Sequence, residues 1–321
     1  MKKITLAVTA LLMGSVSALA EYPERAISFI VPWNAGGGTD AIARTFAAGL
    51  EKELGTKVNV INRTGGAGVV GHQAMSSAAP DGYTIGLATA ELVSYYWNGQ
   101  AEFTYKNYVP ISLINLDPAA FHVAADSEWK DLNQALEAIR TAPANTYKLS
   151  GMAPGAAYHI ALSEMLKSQN IDPLNITVIP TQGAAPGFQE LVSGGVQLLP
   201  FSLPEGRTMI DAGKVRSLAV FSDSRSPSFP DVPTLKEAIG LDYVNGTWRG
   251  IVGPEGMPAD IQAKLSDASQ KVVESEAFKS FMDKQGYGIF YKNSADFTDF
   301  LEEKQQSVGE VLKLLKLRVR D

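Results

Sequence analysis

Residues 27–40, ISFIVPWNAGGGTD, contain a strand, a glycine loop and the start of a helix in direct succession. The run Ile27–Val31 is short, apolar and rich in β-branched residues, which is typical of a buried strand. Three glycines follow at 36–38, and Thr39 occupies the position expected of a helix N-cap. The apolar face of that helix comes from residues four positions apart: Ile42, Phe46 and Leu50. We therefore expect a buried strand to lead, through glycines, into an amphipathic helix.

The same plan recurs three more times along the chain. In the second unit, the strand 58–61 is followed by the loop 65–68 and the helix 69–79. In the third, the strand 147–150 is followed by the loop 151–155 and the helix 156–166. In the fourth, the strand 176–180 is followed by the loop 181–183 and by a helix with Pro186 near its first turn. Strands that alternate with helices predict an α/β fold, with a mixed, mostly parallel sheet in each of two lobes. In parallel sheets ligands bind beyond the carboxyl ends of the strands, where each of these loops begins.

The glycine loops share a chemistry that suits anions. Glycine allows a ligand to approach the backbone closely, and the helix that follows directs free amides and a partial positive charge towards it. Two units lie before residue 80 and two between residues 147 and 195, so opposing lobes would place four helix starts around one cleft. A single loop of this kind would be explained by turn geometry alone. Four of them predict a binding site.

Composition narrows the class of protein. A chain of 321 residues corresponds to about two domains, and its 45% hydrophobic content is enough for packed cores. The net charge of −6 argues against nucleic acid or an anionic membrane surface as a partner, because both require a basic field. The absence of cysteine excludes disulfides, thiolate metal sites and a cysteine nucleophile.

The first 20 residues are typical of an export signal. Lys2 and Lys3 precede the apolar run Ile4–Met13, and Ala18–Ala20 matches a small-x-small cleavage pattern. The apolar run is shorter than the roughly 20 residues that a membrane-spanning helix needs. We expect cleavage after Ala20 and a freely diffusing periplasmic protein.

Motifs for catalysis receive little support. Residues 66–71, GAGVVG, match the dinucleotide pattern G-x-G-x-x-G, and Glu91 lies where an acid would contact a ribose. We reject this function because the strand before the motif is the second of its domain and an exported protein lacks a ready nicotinamide pool. No G-x-S-x-G and no H-E-x-x-H pattern occurs. We therefore expect no cofactor, no metal and no catalytic turnover.

Three histidines and one aspartate are candidates for polar roles. His72, inside a predicted helix, is predicted to be a surface or capping residue, and His122 a satisfied, partly buried one. His159, in the first turn after the third loop, would either donate to a bound anion or bond a nearby carbonyl. Asp40 would stabilise the first-turn amides of its helix. At the cleft it could also orient a loop amide, a water or a protonated ligand group.

A set of short segments is spread over nearly the full chain after residue 20: Tyr22–Pro23, Ile30–Pro32, Gly36–Asp40, Ala43–Arg44, Val60–Gly71, Pro80–Thr84, Ser150–Gly151, Gly155–His159, Gly183–Pro186, Ala212–Arg216, Pro230–Thr234 and Trp248–Gly250. In its order and spacing, this set resembles the solute-binding proteins of tripartite tricarboxylate transporters, the Bug or TctC family.

The resemblance implies a two-lobed, flytrap-like binding protein of the type II periplasmic class that delivers a small organic acid to a membrane permease. It implies that loop backbone and bridging waters hold the ligand's carboxylate between the lobes. Carried over by position, the ligand-binding residues are Trp33, Ala35, Gly37, Gly38, Thr39, Asp40, Gly66, Ala67, Gly68, Thr89, Glu91, Ser150, Gly151, Ala156, Ala157, His159, Thr181, Gln182, Gly183 and Ala184. The expected lobes are 21–121 with 223–321, and 122–222.

Two departures from the family pattern bear on the ligand. Asn34 and Ala35 stand where proline-containing variants are usual, and Thr181–Gln182 replaces the common Tyr-Lys, which removes a cation from the pocket edge. Glu91 could pair with an ammonium or a hydroxyl group of the ligand, which is a hypothesis. The ligand class left open comprises mono-, di- and tricarboxylates and amino acids.

The sequence leaves other functions open. The same flytrap, expected to be a monomer, could present its ligand to a receptor kinase instead of a permease. An exported hydrolase that uses His159 and Asp40 is a further alternative. Three amphipathic helices, predicted at 260–273, 276–285 and 296–316, are assigned no chemistry.

Overall fold

The computed structural model describes residues 22–151, 154–181 and 184–320 of the chain. The predicted export signal and two predicted site residues, Gln182 and Gly183, lie outside the described residues. The strands are β1 Ile27–Val31, β2 Val58–Asn62, β3 Thr84–Thr89, β4 Tyr108–Pro118, β5 Ala120–Ala124, β6 Lys148–Gly151, β7 Thr177–Pro180, β8 Val215–Val220, β9 Gly246–Pro254 and β10 Ile289–Lys292. The helices are α1 Gly38–Leu54, α2 Val69–Ser76, α3 Leu132–Thr141, α4 Ala157–Ser168, α5 Ala184–Val192, α6 Leu203–Asp211, α7 Leu235–Ile239, α8 Ala259–Glu274, α9 Glu276–Gln285 and α10 Ser294–Leu314.

The four predicted strand–loop–helix units are all present. β1 leads to α1, β2 to α2, β6 to α4 and β7 to α5. The predicted N-cap of the first helix is wrong, because α1 begins at Gly38 with extended Gly37 as its N-cap and no capping side chain. The hydroxyl of Thr39 instead accepts a hydrogen bond of 2.9 Å from Nε of Arg249. That partner lies 210 residues away, so a local pattern does not reveal it.

The first lobe is built on a six-stranded sheet with the order β10-β4-β9-β3-β1-β2. β1 pairs in parallel with β2 and β3, whereas the pairs β3–β9, β9–β4 and β4–β10 are antiparallel. The mixed sheet is confirmed, but in this sheet it is not mostly parallel. The reason is that β4 carries the chain out to the second lobe and β9 carries it back, so the two strands run antiparallel as the second and third strands of the sheet.

Two apolar cores cover the two faces of this sheet. Ile27, Phe29 and Val31 of β1 pack with residues of α1, α8 and α9, while Ile30 packs with residues of α2 and α10. Successive side chains of a strand point to opposite faces, so the two clusters lie on opposite sides. The predicted amphipathic helices of the C-terminal third are confirmed as α8, α9 and α10. None of the helices in the described part of the chain is long and apolar enough to cross a membrane.

The second lobe has a smaller sheet made of two strand pairs and a connecting segment. β6 and β7 are parallel, β5 and β8 are antiparallel, and residues 197–202 lie between the pairs. Leu199 exchanges both backbone hydrogen bonds with His122, and the amide of Gln197 donates to the carbonyl of Lys148. Side chains from α3 to α6 fill the core beneath this sheet.

The chain crosses between the lobes where β4 runs into β5 and where β9 begins. The backbone strands approach so closely there that a Cβ built on Gly246 would lie 2.1 Å from the carbonyl oxygen of Asp117. Only glycine fits this contact. The lobe limits stay a prediction. Leu235 is fully buried in the core of the second lobe, so packing favours a return crossing nearer to Gly246 than to residue 222.

Candidate functional site

Asp40 secures the first glycine loop. Its carboxylate is 3% exposed and accepts hydrogen bonds from the amide of Gly36 at 2.8 Å, Nε of Arg44 at 2.9 Å and Nδ2 of Asn62 at 2.9 Å. Burial raises the pKa of this carboxyl, but the hydrogen bonds from Arg44, Gly36 and Asn62 outweigh burial and hold the pKa below its usual range. Of the roles left open by the sequence, the structure shows the orienting of a loop amide.

Trp33 connects the first loop to the second loop and to the end of β3. Its carbonyl accepts from Nδ2 of Asn62 at 2.9 Å, and its indole Nε1 donates to Oγ1 of Thr89 at 3.2 Å. A Cβ built on Gly68 would lie 3.2 Å from the indole ring, so the ring rests against the backbone of the second loop. Three predicted site segments therefore meet at one indole.

Thr89 and Glu91 continue this connection. Oγ1 of Thr89, which accepts from Trp33, donates in turn to Oε2 of Glu91 at 2.6 Å. Glu91 lies in the first turn of the 3₁₀ segment Ala90–Val93, directly after β3, and its side chain is half-buried. The expectation that Thr89 and Glu91 lie with the glycine loops agrees with this hydrogen-bonded chain.

His72 is not the surface or capping residue that the sequence predicted. It is fully buried, its Nδ1 lies 2.9 Å from the carbonyl oxygen of Gly68, and its Nε2 accepts from the amide of Thr89 at 3.1 Å. Burial lowers the pKa of the ring to about 4, so the ring is neutral at pH 7, and these partners assign its proton to Nδ1. The buried ring of His72 thus links the second loop to the end of β3 by two hydrogen bonds.

Loops from the second lobe carry the remaining predicted residues. Gly151 ends β6 opposite Pro180, and Oγ of Ser150 donates to the carbonyl of Ile179 at 3.3 Å and to Oγ1 of Thr181 at 3.4 Å. The third and fourth loops therefore start side by side, at the carboxyl ends of neighbouring parallel strands.

Of the two contacts that the sequence left open for His159, the bond to a nearby carbonyl is not found among the described residues. Its Nδ1 accepts a hydrogen bond of 2.9 Å from the amide of Gly155, and burial lowers the pKa of the ring to about 4. The neutral ring therefore carries its proton on Nε2, which has no hydrogen-bond partner within the described ranges. A donor is left for a bound anion, and its use stays a prediction.

Apolar contacts bring the second lobe's third loop against the first lobe. Ile160 of α4 is buried in the same cluster as Ala90 and Leu92, next to Glu91, and Ala157 packs against that cluster. The start of α4 is thereby held near the segment that carries Glu91.

Arg249 is a buried cation, and the sequence patterns predict no role for it. Besides its bond to Thr39, its Nη1 donates to Oδ2 of Asp117 at 2.6 Å and to Oδ1 of Asn115. Both members of the ion pair are nearly inaccessible, and Oδ1 of Asp117 accepts from the amide of Gly288 at 3.0 Å. The sequence feature that could have indicated a role for Arg249 is the segment Trp248–Gly250. It matches the family pattern but lies outside every glycine loop.

Three of the other predicted residues lie at the starts of helices. Gly37 and Ala156 are the N-caps of α1 and α4, and Ala184 begins α5. The first amides of a helix have no intrahelical acceptor, so they are available to a ligand or water. Among the described residues, no group of three or more His, Asp or Glu side chains is placed to hold a metal ion.

Comparisons with known proteins agree with this architecture. A family model described as the tripartite tricarboxylate transporter family receptor, TctC, matches residues 42–317. The UPF0065 protein in the gbd 5′ region of Cupriavidus necator is 33% identical over 328 residues, which cover 98% of this chain and 96% of the relative.

Two solved structures show the same fold. A TctC solute-binding protein from Polaromonas is 30% identical, with a TM-score of 0.78 over 91% of this chain and 99% of its own. MatC from Rhodopseudomonas palustris, solved with bound malate, is 24% identical, with a TM-score of 0.75 over 91% of this chain and 100% of its own. The two-lobed fold and the family resemblance are confirmed, and the chain belongs to the TctC family of tripartite tricarboxylate transporter receptors.

Proposed function

We propose that the protein is a periplasmic solute-binding protein that captures a small organic carboxylate between its lobes and delivers it to a tripartite tricarboxylate-type transporter. One observation carries the proposal: in a chain of this receptor family, buried side chains order the glycine loops that precede α1 and α2 and the one that precedes α4. Asp40, His72 and His159 each bond a backbone group of one of these loops.

The chemistry of these loops supports an anionic ligand. Helix starts present free amides and a partial positive charge, and a carboxylate that accepts hydrogen bonds from such amides binds more strongly than a neutral acceptor does. The Nε2–H group of His159 adds one side-chain donor. MatC, which shares the fold, has malate bound, so the fold accommodates a small carboxylate. The export pattern of residues 1–20 supports the periplasm as the compartment.

A charged ligand should bind much more tightly than its neutral counterpart. We expect a carboxylate to bind about 100-fold more tightly than its amide. A hydrogen bond to a charged group contributes about 1.5–3 kcal/mol and a neutral one about 1 kcal/mol, so two or more such bonds from the helix starts give about this factor. The protein should be unfolded and refolded to remove retained ligand, then screened by thermal shift against organic acids and amino acids. A ligand at 100 times its Kd adds about 2.7 kcal/mol of stability. Equal affinity for an acid and its amide would contradict the proposed mechanism.

Delivery to a permease is tested in cells. A strain that lacks the partner permease, and a second strain that lacks this protein, should both lose uptake of the acid identified in the screen. Unchanged uptake in both strains, together with tight binding in vitro, would contradict delivery and favour the receptor-kinase role.

Gly68→Ala should weaken ligand binding about tenfold, the equivalent of one hydrogen bond to a charged group. Gly68 has φ +95°, and an added Cβ would lie 2.6 Å from Oη of Tyr95, which donates to the carbonyl of Ala67. We also expect an unfolding free energy about 1–3 kcal/mol lower, as for other overpacked sites. Gly194→Ala is the matched control, because Gly194 has φ +79° with no atom within 4 Å of the new Cβ. Calorimetric titration should show reduced affinity for the first variant alone, and equal affinities would show that the second loop is not part of the site.

A further inference from the structure

Two of the buried charged side chains at the candidate site are neutralised by partners. Asp40 is bonded to Arg44, and Arg249 is bonded to Asp117. His159 and His72 are neutral, because burial lowers the pKa of each ring to about 4. Glu91 forms no ion pair within the described ranges. Its charge is therefore left for another partner.

The position of Glu91 is determined by its neighbours. Oε2 accepts the hydroxyl of Thr89, whose own oxygen is held by the indole of Trp33, and its backbone carbonyl accepts from the amides of Ser94 and Tyr95. Oε1 has no hydrogen-bond partner in the part of the chain that the structure describes. A half-buried carboxylate is thus held through one oxygen, and its other oxygen is free.

A carboxylate among backbone amide donors has opposite effects on two kinds of ligand. It repels a ligand that carries only negative charges, and it attracts one that also carries a cation close to its carboxylate. Within the described residues, the first lobe's glycine loops contain no lysine or arginine. Of their basic sequence neighbours, Arg44 is bonded to Asp40 and Asn62, and Arg63 is exposed and forms no ion pair with any described residue. A simple dianion would therefore be repelled by the unpaired Glu91 carboxylate, whereas Arg63, directly after β2, would attract diacids and amino acids alike.

We propose that Glu91 makes this site selective for amino acids, with the ligand's ammonium group on Oε1 of Glu91 and its carboxylate on the helix starts. The proposal rests on the proposed function, since it names the class of carboxylate that the same site takes. Glu91 acts as the specificity-determining residue, and Trp33 and Thr89 position it.

The experiment compares ligands that differ only at the carbon next to the carboxylate. Aspartate, malate and succinate carry an ammonium, a hydroxyl and a hydrogen there, and glutamate and glutarate form a second pair. Titration calorimetry on refolded protein at pH 7 should give an affinity for the better amino acid at least about tenfold higher than for its unsubstituted diacid. Malate should bind like succinate, because the preference is for charge.

Glu91→Gln is the test variant, since its amide oxygen can still accept the Thr89 hydroxyl. It should lower the amino-acid affinity about tenfold or more and leave or raise the diacid affinity. Urea unfolding of Glu91→Gln should give an unchanged unfolding free energy. If Glu91 had only a structural role, the substitution would lower that free energy. Glu137→Gln, an equal charge change on an exposed side chain of α3, should alter neither affinity.

The outcomes separate this inference from the proposed function. If diacids bind as tightly as amino acids, or if Glu91→Gln weakens both classes equally, the inference is overturned while carboxylate binding stands. If malate binds as tightly as aspartate, the site selects a hydrogen-bond donor and the requirement for a cation is overturned. If no carboxylate of any class binds, the proposed function itself fails.

Discussion

The unfolding free energy of this protein should fall by several kcal/mol as the pH is lowered from 6.5 to 4. All three histidines of the chain are buried, and burial lowers the pKa of each of them, His72, His122 and His159, to about 4. The neutral form of each ring is also fixed by partners, as for His122, which lies 2.9 Å from both Oγ of Ser217 and the carbonyl of Phe201. As predicted, His122 is satisfied, although it is fully and not partly buried.

The sign of this effect follows from where protons bind. Between pH 6.5 and 4 the unfolded chain takes up protons on its histidines while the folded chain does not, so lower pH favours unfolding. The stabilisation is fully present above pH 6.5 and is lost as the pH approaches 4. One pKa unit corresponds to 1.36 kcal/mol, so each histidine contributes about 3 kcal/mol over this range. The carboxyl of Asp40, with its lowered pKa, adds a further loss only at still lower pH.

Histidine proton resonances provide the measurement. Three imidazole signals are expected in the folded protein, each with a midpoint near pH 4, and the same signals in concentrated urea should titrate near pH 6.5. Urea unfolding at pH 7 and at pH 4.5 should show the corresponding loss of stability. Titration midpoints near pH 6.5 in the folded protein would mean that the rings reach solvent. They would contradict the buried link that His72 makes between the second loop and β3.

Asp117→Ala should lower the unfolding free energy by about 3–5 kcal/mol, the range found when one partner of a buried ion pair is removed. The variant leaves the Arg249 guanidinium buried with only the neutral acceptors of Asn115 and Thr39. It also removes the acceptor of the Gly288 amide. This pair lies where β4 and β9 cross between the lobes, so a change there reaches Thr39 in the first glycine loop through Arg249.

An exposed ion pair of the same lobe is the matched control. Arg25 and Asp81 are 2.9 Å apart with side chains 63% and 45% exposed, and Oδ1 of Asp81 also accepts from the amide of Tyr83. Asp81→Ala should therefore cost no more than about 2 kcal/mol. Chemical unfolding of both variants at pH 7 measures the difference. Combining Asp117→Leu with Arg249→Met should recover much of the loss, because no unpaired charge is then buried. A small loss for Asp117→Ala, equal to that of the control, would show that water reaches the Arg249 guanidinium.

Much of the architecture could be predicted from local pattern. Short runs of four or five residues predicted the strands β1, β2, β6 and β7, and the apolar residues spaced four apart predicted α1, because a strand or helix is decided by neighbours within a few residues. The glycine positions were equally readable. Gly68 needs a positive φ and Gly66 does too, which is a property of the backbone at one residue.

The family and the positions of the loops therefore follow from the sequence by itself. The role of each polar side chain does not. Arg249 meets Asp117 across 132 residues and Thr39 across 210, and His72 meets Thr89 across 17. Partners so distant are set by how the strands are ordered in the sheet, which no local periodicity encodes.

What only the tertiary structure decided is which charges are neutralised. The sequence of this protein determines that glycine loops lead from strands into helices, and it predicts that the amides at these helix starts face a ligand. The folded chain determines that Asp40 and Arg249 are paired and that Glu91 is not, because ion pairing depends on distances of a few ångströms between elements far apart in the chain.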